Sequence, residues 1–511
     1  MKLRGRHLLF IAAATAVALI ALEAAARPGG GQGYSGGGGH SSGGGYSGGS
    51  HSSSGGGSGD GAGIIFYLLL RLVFEYPKLG IPLLIFAVAI GYWRIHHADA
   101  LRREAWSGGD ASPSSPDPPR RKAIRFDKVR QRDPEFSVVL FEDFMYALFA
   151  RVHAARSDPQ QMAALAPYVS LGARTAMLER GPGGVPIQGI VIGAMRVHNV
   201  QVDGEPGGKI LVDLEFEANY TAARPDRATG YYVRERWQVE RANDVQSKPP
   251  GPVQEFRCPG CGAPFTATDA DQCSFCHQEV GGGRFDWTVK RIRVIEEETR
   301  PPALTADHAE QGTDAPSIFD PRIKDLHTAL IAEDPSAEPE RIKQRLQTIY
   351  RELNAAWSAR DLRPARPFVS DSLFNYLGYW ITAYRQQGLR NVLEQMEISR
   401  IAIVKLGRDR HFDAITVRLW AAGLDYTVRE QDNKRLSGSA TKKRAYSEYW
   451  TLIRGARVRG APAADTTCPG CGAPLDRVSM AGNCEYCGAH LTRGEFDWVL
   501  SKIEQDDAYA G

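Results

Sequence analysis

Cys258, Cys261, Cys273 and Cys276, and again Cys468, Cys471, Cys484 and Cys487, are the residues whose type and spacing can do chemistry. Both quartets open Cys-Pro-Gly-Cys-Gly-Ala-Pro and close Cys-x-x-Cys, with 11 residues between the middle cysteines in the first and 12 in the second. Two such knuckles place four thiolates tetrahedrally at ~2.3 Å from zinc, a closed set with no position for water or substrate. The expected chemistry is therefore structural, with one zinc ion per quartet in a ribbon of the rubredoxin type. Gly260, Gly262, Gly470 and Gly472 let the knuckles turn tightly. A module of ~25 residues has almost no core, so the metal would supply most of its folding free energy, on the order of 10 kcal/mol. His277 and His490 are alternative ligands by position, but four cysteines complete each set and both histidines are read as bystanders.

The competing readings are disulfides, a thioredoxin-like redox pair and an iron site, so the compartment matters. Lys2, Arg4 and Arg6 precede an apolar run from Leu8 to Leu22, and Ala24 to Ala26 offer a small-residue cleavage site, which together read as an export signal over 1–26. Residues 27–63 are a Gly/Ser-rich linker unable to bury a core, with His40 and His51 as solubilising residues. A membrane segment is expected over 64–97. Leu79 to Ile95 is the span, edged by Tyr92, Trp93 and Arg94, while the shorter run Ile64 to Phe74, broken by Arg71, suits an interfacial helix. One crossing after an exported N-terminus places everything beyond about residue 100 in the cytoplasm, at the inner (cytoplasmic) membrane. There the thiols stay reduced. All eight cysteines fall in the quartets, and neither Cys-x-x-Cys opens a helix of a βαβ unit.

Past a second linker (98–130) the chain repeats itself at a period of ~200–213 residues. Pro167-Tyr168-Val169-Ser170 recurs as Pro367-Phe368-Val369-Ser370, the segment 235–241 around Trp237 recurs as 448–454 around Trp450, and Phe285-Asp286-Trp287 recurs as Phe496-Asp497-Trp498. Each copy reads as a larger domain (131–245, 319–458) followed by a cysteine module with a closing segment (254–298, 465–505), and a linker at 299–318 joins the copies. Trp287 and Trp498 are expected to dock the modules by aromatic burial.

Asp133-Pro134 gives an N-cap signal ahead of Phe136, Leu140, Phe144 and Leu148, and in the second copy Ile342, Leu346, Ile349, Leu353 and Trp357 form the equivalent stripe. Further helices follow around 173–178 and 373–384. Alternation then takes over, with Val212, Leu214 and Phe216, or Ile415, Val417 and Leu419, on one face of a strand. Helices before an antiparallel meander make the fold class α+β. The charged residues flanking Trp237 and Trp450 are read as a solvated face, pointing away from the tryptophans.

Trp357-Ser358-Ala359-Arg360-Asp361-Leu362, the Pro367 element, the stretch from Asn391 to Ile398 and Glu448-Tyr449-Trp450-Thr451-Leu452-Ile453-Arg454 resemble the C-terminal domain of the mitochondrial import subunit Tim44 and its bacterial relatives. The first copy resembles it less, with His153 in place of the tryptophan. The resemblance implies cone-shaped, nuclear-transport-factor-two-like domains with an apolar cavity between helices and sheet. It also implies work at a membrane: tethering, lipid contact or handling of polypeptide segments.

A net charge of +3, from 62 basic and 59 acidic residues, provides no field that argues for nucleic acid. The ribbons carry few cations (Arg257, Arg284, Arg477, Arg493), so a nucleic-acid or ribosome-associated module is the lesser alternative. Without a phosphate loop, nucleophile elbow or His-Glu-x-x-His helix, an enzyme using the cone cavity is a further alternative, and the reading is non-catalytic. The expected partners are membrane lipid and other membrane or translocating proteins.

Overall fold

Helical stripes and alternating strands sort the folded chain into two units, each with helices ahead of a four-stranded sheet. The computed structural model describes residues 124–511 apart from 181–184, 225–227, 249–255, 266–271, 300–303, 305–309, 311, 461–466, 476, 480–481 and 507. The export signal (1–26), the Gly/Ser linker (27–63), the membrane segment (64–97) and residues 98–123 of the 98–130 linker lie outside the described residues, whereas 124–130 are not linker, because Phe126 and Val129 bury their apolar side chains in the first core. Among the described residues no helix is long and apolar enough to cross a membrane.

The first unit runs α1 (Asp127–Arg132), α2 (Val138–Ala154), α3 (Pro159–Ala163), α4 (Leu171–Glu179), β1 (Ile187–Val202), β2 (Lys209–Ala223), β3 (Ala228–Ala242) and β4 (Thr288–Thr299). The second runs α5 (Ile323–Glu333), α6 (Pro339–Ala359), α7 (Asp371–Gln386), β5 (Leu389–Arg408), β6 (Phe412–Arg429), β7 (Arg435–Gly455) and β8 (Val499–Gln505). Each sheet is a fully antiparallel meander in sequence order. The helices pack on one face, which is the expected α+β arrangement. Val212, Leu214 and Phe216, like Ile415, Val417 and Leu419, are fully buried beneath them.

The segments beyond the cysteine modules are not appendages that close each module. They are the fourth strands, β4 and β8, paired along β3 and β7. Each module is therefore an insertion inside a domain, and the boundaries at 245 and 458 cut through a sheet. The repeated Pro-aromatic-Val-Ser element explains its own recurrence here. Val169 and Val369 bridge in parallel to Val289 and Leu500 of the fourth strands, and Ser170 and Ser370 cap α4 and α7 by accepting from Ala173 N and Leu373 N.

Asp133 does not cap a helix. Ser137 caps α2, and Asp133 is buried, accepting from Arg241 Nη2 at 2.7 Å and from Ser247 Oγ at 2.6 Å. In the second unit Asp334 accepts from Arg454 Nη2 at 2.6 Å and from Ser336 Oγ at 2.7 Å. Each guanidinium also lies over the tryptophan that precedes the fourth strand, Arg241 over Trp287 (4.7 Å) and Arg454 over Trp498 (4.4 Å). Burial opposes the ionisation of Asp334, but the Ser336 hydroxyl and amide, the Gly460 amide and Arg454 outweigh it and hold the carboxyl below its usual range.

The charges flanking the strand tryptophans also differ from expectation. With a period of two, Glu235 and Glu448 share the face of Trp237 and Trp450 rather than opposing it. They are buried and accept the indole N–H at 2.7 and 2.9 Å. The 299–318 linker is partly structural as well. Arg418 donates to the carbonyls of Ala315 (2.7 Å) and Gly312 (2.9 Å) and pairs with Asp506 at 3.1 Å, so residues 312–317 are held on the outer face of the second sheet.

Asp334→Asn leaves the Arg454 guanidinium buried without its counter-charge, at an expected cost of about 3–5 kcal/mol. Asp432→Asn, at the exposed pair with Arg429, should cost under about 1 kcal/mol. Denaturant unfolding of the two variants side by side checks the contrast, and equal losses would contradict it.

Candidate metal centres and the cavity between the units

Each knuckle is built by its own backbone. The Cys258 amide donates to Ala263 O (2.9 Å) and the Gly262 amide returns to Cys258 O (2.8 Å). The same pair of bonds recurs at Cys273, Cys468 and Cys484. The turn puts the fourth residue after the leading cysteine in the left-handed region: φ is 75° at Gly262, 56° at His277, 76° at Gly472 and 73° at Gly488. Three of the four are glycine, as that conformation favours. Gly260 and Gly470 do not have positive φ and sit beside the sulfurs instead, a Cβ on Gly470 falling 3.6 Å from Cys487 Sγ.

All four sulfurs of each quartet lie within 4.8 Å of one another. Cys258–Cys276 and Cys261–Cys273 are separated by 3.8 Å, Cys468–Cys487 by 3.7 Å and Cys471–Cys484 by 3.8 Å. These are not disulfide distances, and the eight cysteines are free. A tetrahedron with metal–sulfur bonds of ~2.3 Å has edges of about 3.8 Å, so both donor sets fit a metal ion such as zinc. Within the first quartet the Cys276 amide brings the Cys273 thiol down to about 7, while burial pushes the Cys258 thiol up. His277 is exposed, and His490 faces Asp371 at 3.7 Å.

The modules are tied to their domains where they leave the sheet. Gly283 O and Gly494 O accept from the amides of Ala242 and Gly455, the last residues of the third strands. Both glycines have positive φ, and a Cβ would lie 2.8 Å from Arg241 Cα or 2.7 Å from Arg454 Cα, a contact only glycine avoids.

The second site lies between the two units. A cavity of about 590 Å³ is lined by α2 and β1 of the first unit and by the start of α7 and β8 of the second. Phe144 and Leu148 of the expected α2 stripe are buried in the first core, and Phe136 joins them from just ahead of the helix. Leu140 does not. A strict spacing of four drifts off the 3.6 period, and Leu140 packs instead against Phe412, Ile453 and Val499 of the second unit. Lys502 Nζ donates to Glu142 Oε2 at 3.0 Å across the same junction, and Glu135 pairs with Arg410 and His411. Sequence reasoning missed this junction. Its one visible signal was the off-period leucine.

Residues 326–462 match the Tim44-like domain family, a span from inside α5 to the end of β7 that stops before the cysteine module and β8. Among solved structures, one titled "Ntf2 like protein involved in plasmid conjugation" aligns with 71% of this chain and 96% of its own at 9% identity, with a TM-score of 0.17. That overlap is too loose to bear on the architecture. No curated protein matches the chain. The chain therefore carries a Tim44-like domain in its second unit.

Cys484→Ser should lower the metal content from two ions per chain to one, measured by elemental analysis, while the first site stays loaded. His277→Gly relieves a left-handed side chain and should stabilise the first module by about 1 kcal/mol with the metal content unchanged. A lost ion in that variant would make His277 a ligand.

Proposed function

We propose that this chain is a membrane-anchored, non-catalytic binding or scaffold protein that engages lipid or polypeptide segments at the inner (cytoplasmic) membrane, in protein transport or membrane-protein assembly. The observation that carries the reading is the Tim44-like domain at residues 326–462. The anchor is the 64–97 segment after an export signal, and the folded units lie on the cytoplasmic side, where thiols remain reduced. Two structural zinc ions, held by Cys258, Cys261, Cys273, Cys276 and by Cys468, Cys471, Cys484, Cys487, close the inserted modules. Their spacing of about 3.8 Å between sulfurs supports zinc, and their closed coordination supports a role in shape rather than catalysis.

The full-length chain solubilised from membranes should retain phospholipid or cross-link to membrane or translocating proteins, read by mass spectrometry. Recovery with neither would overturn the reading. A reporter active only outside the cytoplasm, fused at the C-terminus, should stay dark.

A further inference from the structure

The cavity between the units is mostly apolar, with Leu140, Phe144 and Ala147 of α2 facing Leu373, Phe412 and Ile503 of the second unit. One carboxyl stands in its wall. Asp143, on α2, lines the cavity and has a single hydrogen bond among the described residues, from Ser372 Oγ at 3.3 Å. Of the cations lining the cavity, Lys502 pairs with Glu142 and Lys248 donates to Pro259 O, while Arg493 acts on Asp143 without a hydrogen bond to it. Burial, then Glu142 on its own helix and Asp371 at the start of α7, push the Asp143 carboxyl up to about 7, while Ser372 and Arg493 only partly oppose them. The charged groups packed around this wall also include Glu504 and Lys405, both close to Lys502.

We propose that this cavity binds a monocationic amphiphile, an ammonium on an apolar stem, with the Asp143 carboxylate as its counter-charge and the Ser372 hydroxyl beside it. The volume lies in the range of about 300–1,000 Å³ usual for small-ligand pockets. A carboxylate among apolar groups with one hydroxyl partner is poorly solvated, and an incoming cation restores what burial removed. Among the charged groups lining the cavity Asp143, Asp286 and Asp371 stand against Lys248, Arg493 and Lys502, so discrimination is local to Asp143: an anion placed there meets a like charge, and a neutral ligand leaves the carboxylate with Ser372 alone as hydrogen-bond donor. The stem occupies the surface of Leu140, Phe144 and Leu373. A free alkylamine and a lysine side chain of a bound polypeptide share this chemistry. The site is independent of the membrane partner proposed above, so the two readings fail separately.

The test titrates the detergent-solubilised full chain with hexylammonium, with 1-hexanol and hexanoate as neutral and anionic counterparts, and with the peptide acetyl-Leu-Lys-Leu-amide. Hexylammonium should bind one per chain, more tightly than hexanol or hexanoate. A carboxyl titrating near 7 is about one-tenth ionised at pH 6 and nine-tenths at pH 8, so affinity should rise about tenfold over that range. Asp143→Asn should weaken binding at least tenfold and flatten the pH dependence, with metal content unchanged. Ala147→Phe, which fills the cavity and keeps the carboxyl, should abolish binding and provides a second check if the first variant misfolds. Tighter binding of the peptide would assign the site to a polypeptide side chain, and tighter binding of hexylammonium to a free amine. Equal binding of hexanol and hexylammonium, no binding of either cation, or hexylammonium binding unaltered in both variants would overturn the proposal.

Discussion

The buried aspartate–arginine pair with a tryptophan beneath it is the contact on which each unit depends. Asp133 or Asp334 lies just before the long helix, Arg241 or Arg454 ends the third strand, and Trp287 or Trp498 begins the fourth. Three chain segments, far apart in sequence, meet at one ion pair. The two units build it with different auxiliaries. In the first, one serine, Ser247, donates to Asp133 through both its hydroxyl and its amide. In the second, the amide at the same distance past the arginine belongs to Gly460, and the hydroxyl comes from Ser336. Such a pair is costly to bury and more costly to break, so its recurrence marks a constraint on registry rather than a large net stabilisation.

That constraint gives the inserted modules their importance. Each lies between the arginine and the tryptophan in the chain, so the fourth strand reaches its place only after the module has turned back. The glycines at 283 and 494 bring the returning chain against the third strand with no room for a side chain. Metal binding in a closed cysteine set would shorten the loop between third and fourth strands in the unfolded chain as well as order the module itself. Metal binding and sheet formation would thereby be coupled, although none of the described cysteines lines the cavity.

Local features were legible in the sequence, and long-range pairings were not. The cysteine quartets, the Ser170 and Ser370 elements and the alternating strands depend on spacings within a few residues, and the structure places them as their spacing implies. Asp133-Pro134 looks like a cap because aspartate is a good one, and nothing nearby in sequence reveals a guanidinium more than a hundred residues on. Arg418 holds the linker for the same reason: its partners lie in a stretch whose composition reads as unstructured. Glu235 was within reach. The period-two rule alone puts it on the face of Trp237, and its charge does not keep it exposed because the indole N–H, His153 and Arg180 meet it.

The two units also differ in how they surround a buried group at the same place in the sheet. At the buried carboxylate beside the strand tryptophan, the first unit surrounds Glu235 with His153 at 3.3 Å and Arg180 at 2.6 Å. Burial opposes ionisation there, yet these partners and Trp237 hold the carboxyl down at about 2, while burial keeps His153 below its usual value. In the second unit Glu448 is met by Trp450 and by the neutral amide of Gln505 at 3.0 Å, and the histidine has become Trp357, whose indole donates to Asn391. The buried carboxylate is thus met by charged partners in the first unit and by an indole and an amide in the second. Only the second carries the Tim44-like match, and the difference lies between helices and sheet, not where the sheet is tied. A buried polar group can change its partners between copies, provided each carboxylate keeps its full set of donors. The Asp–Arg–Trp contact had no such freedom, because its three members fix the register of helix, strand and insertion at once.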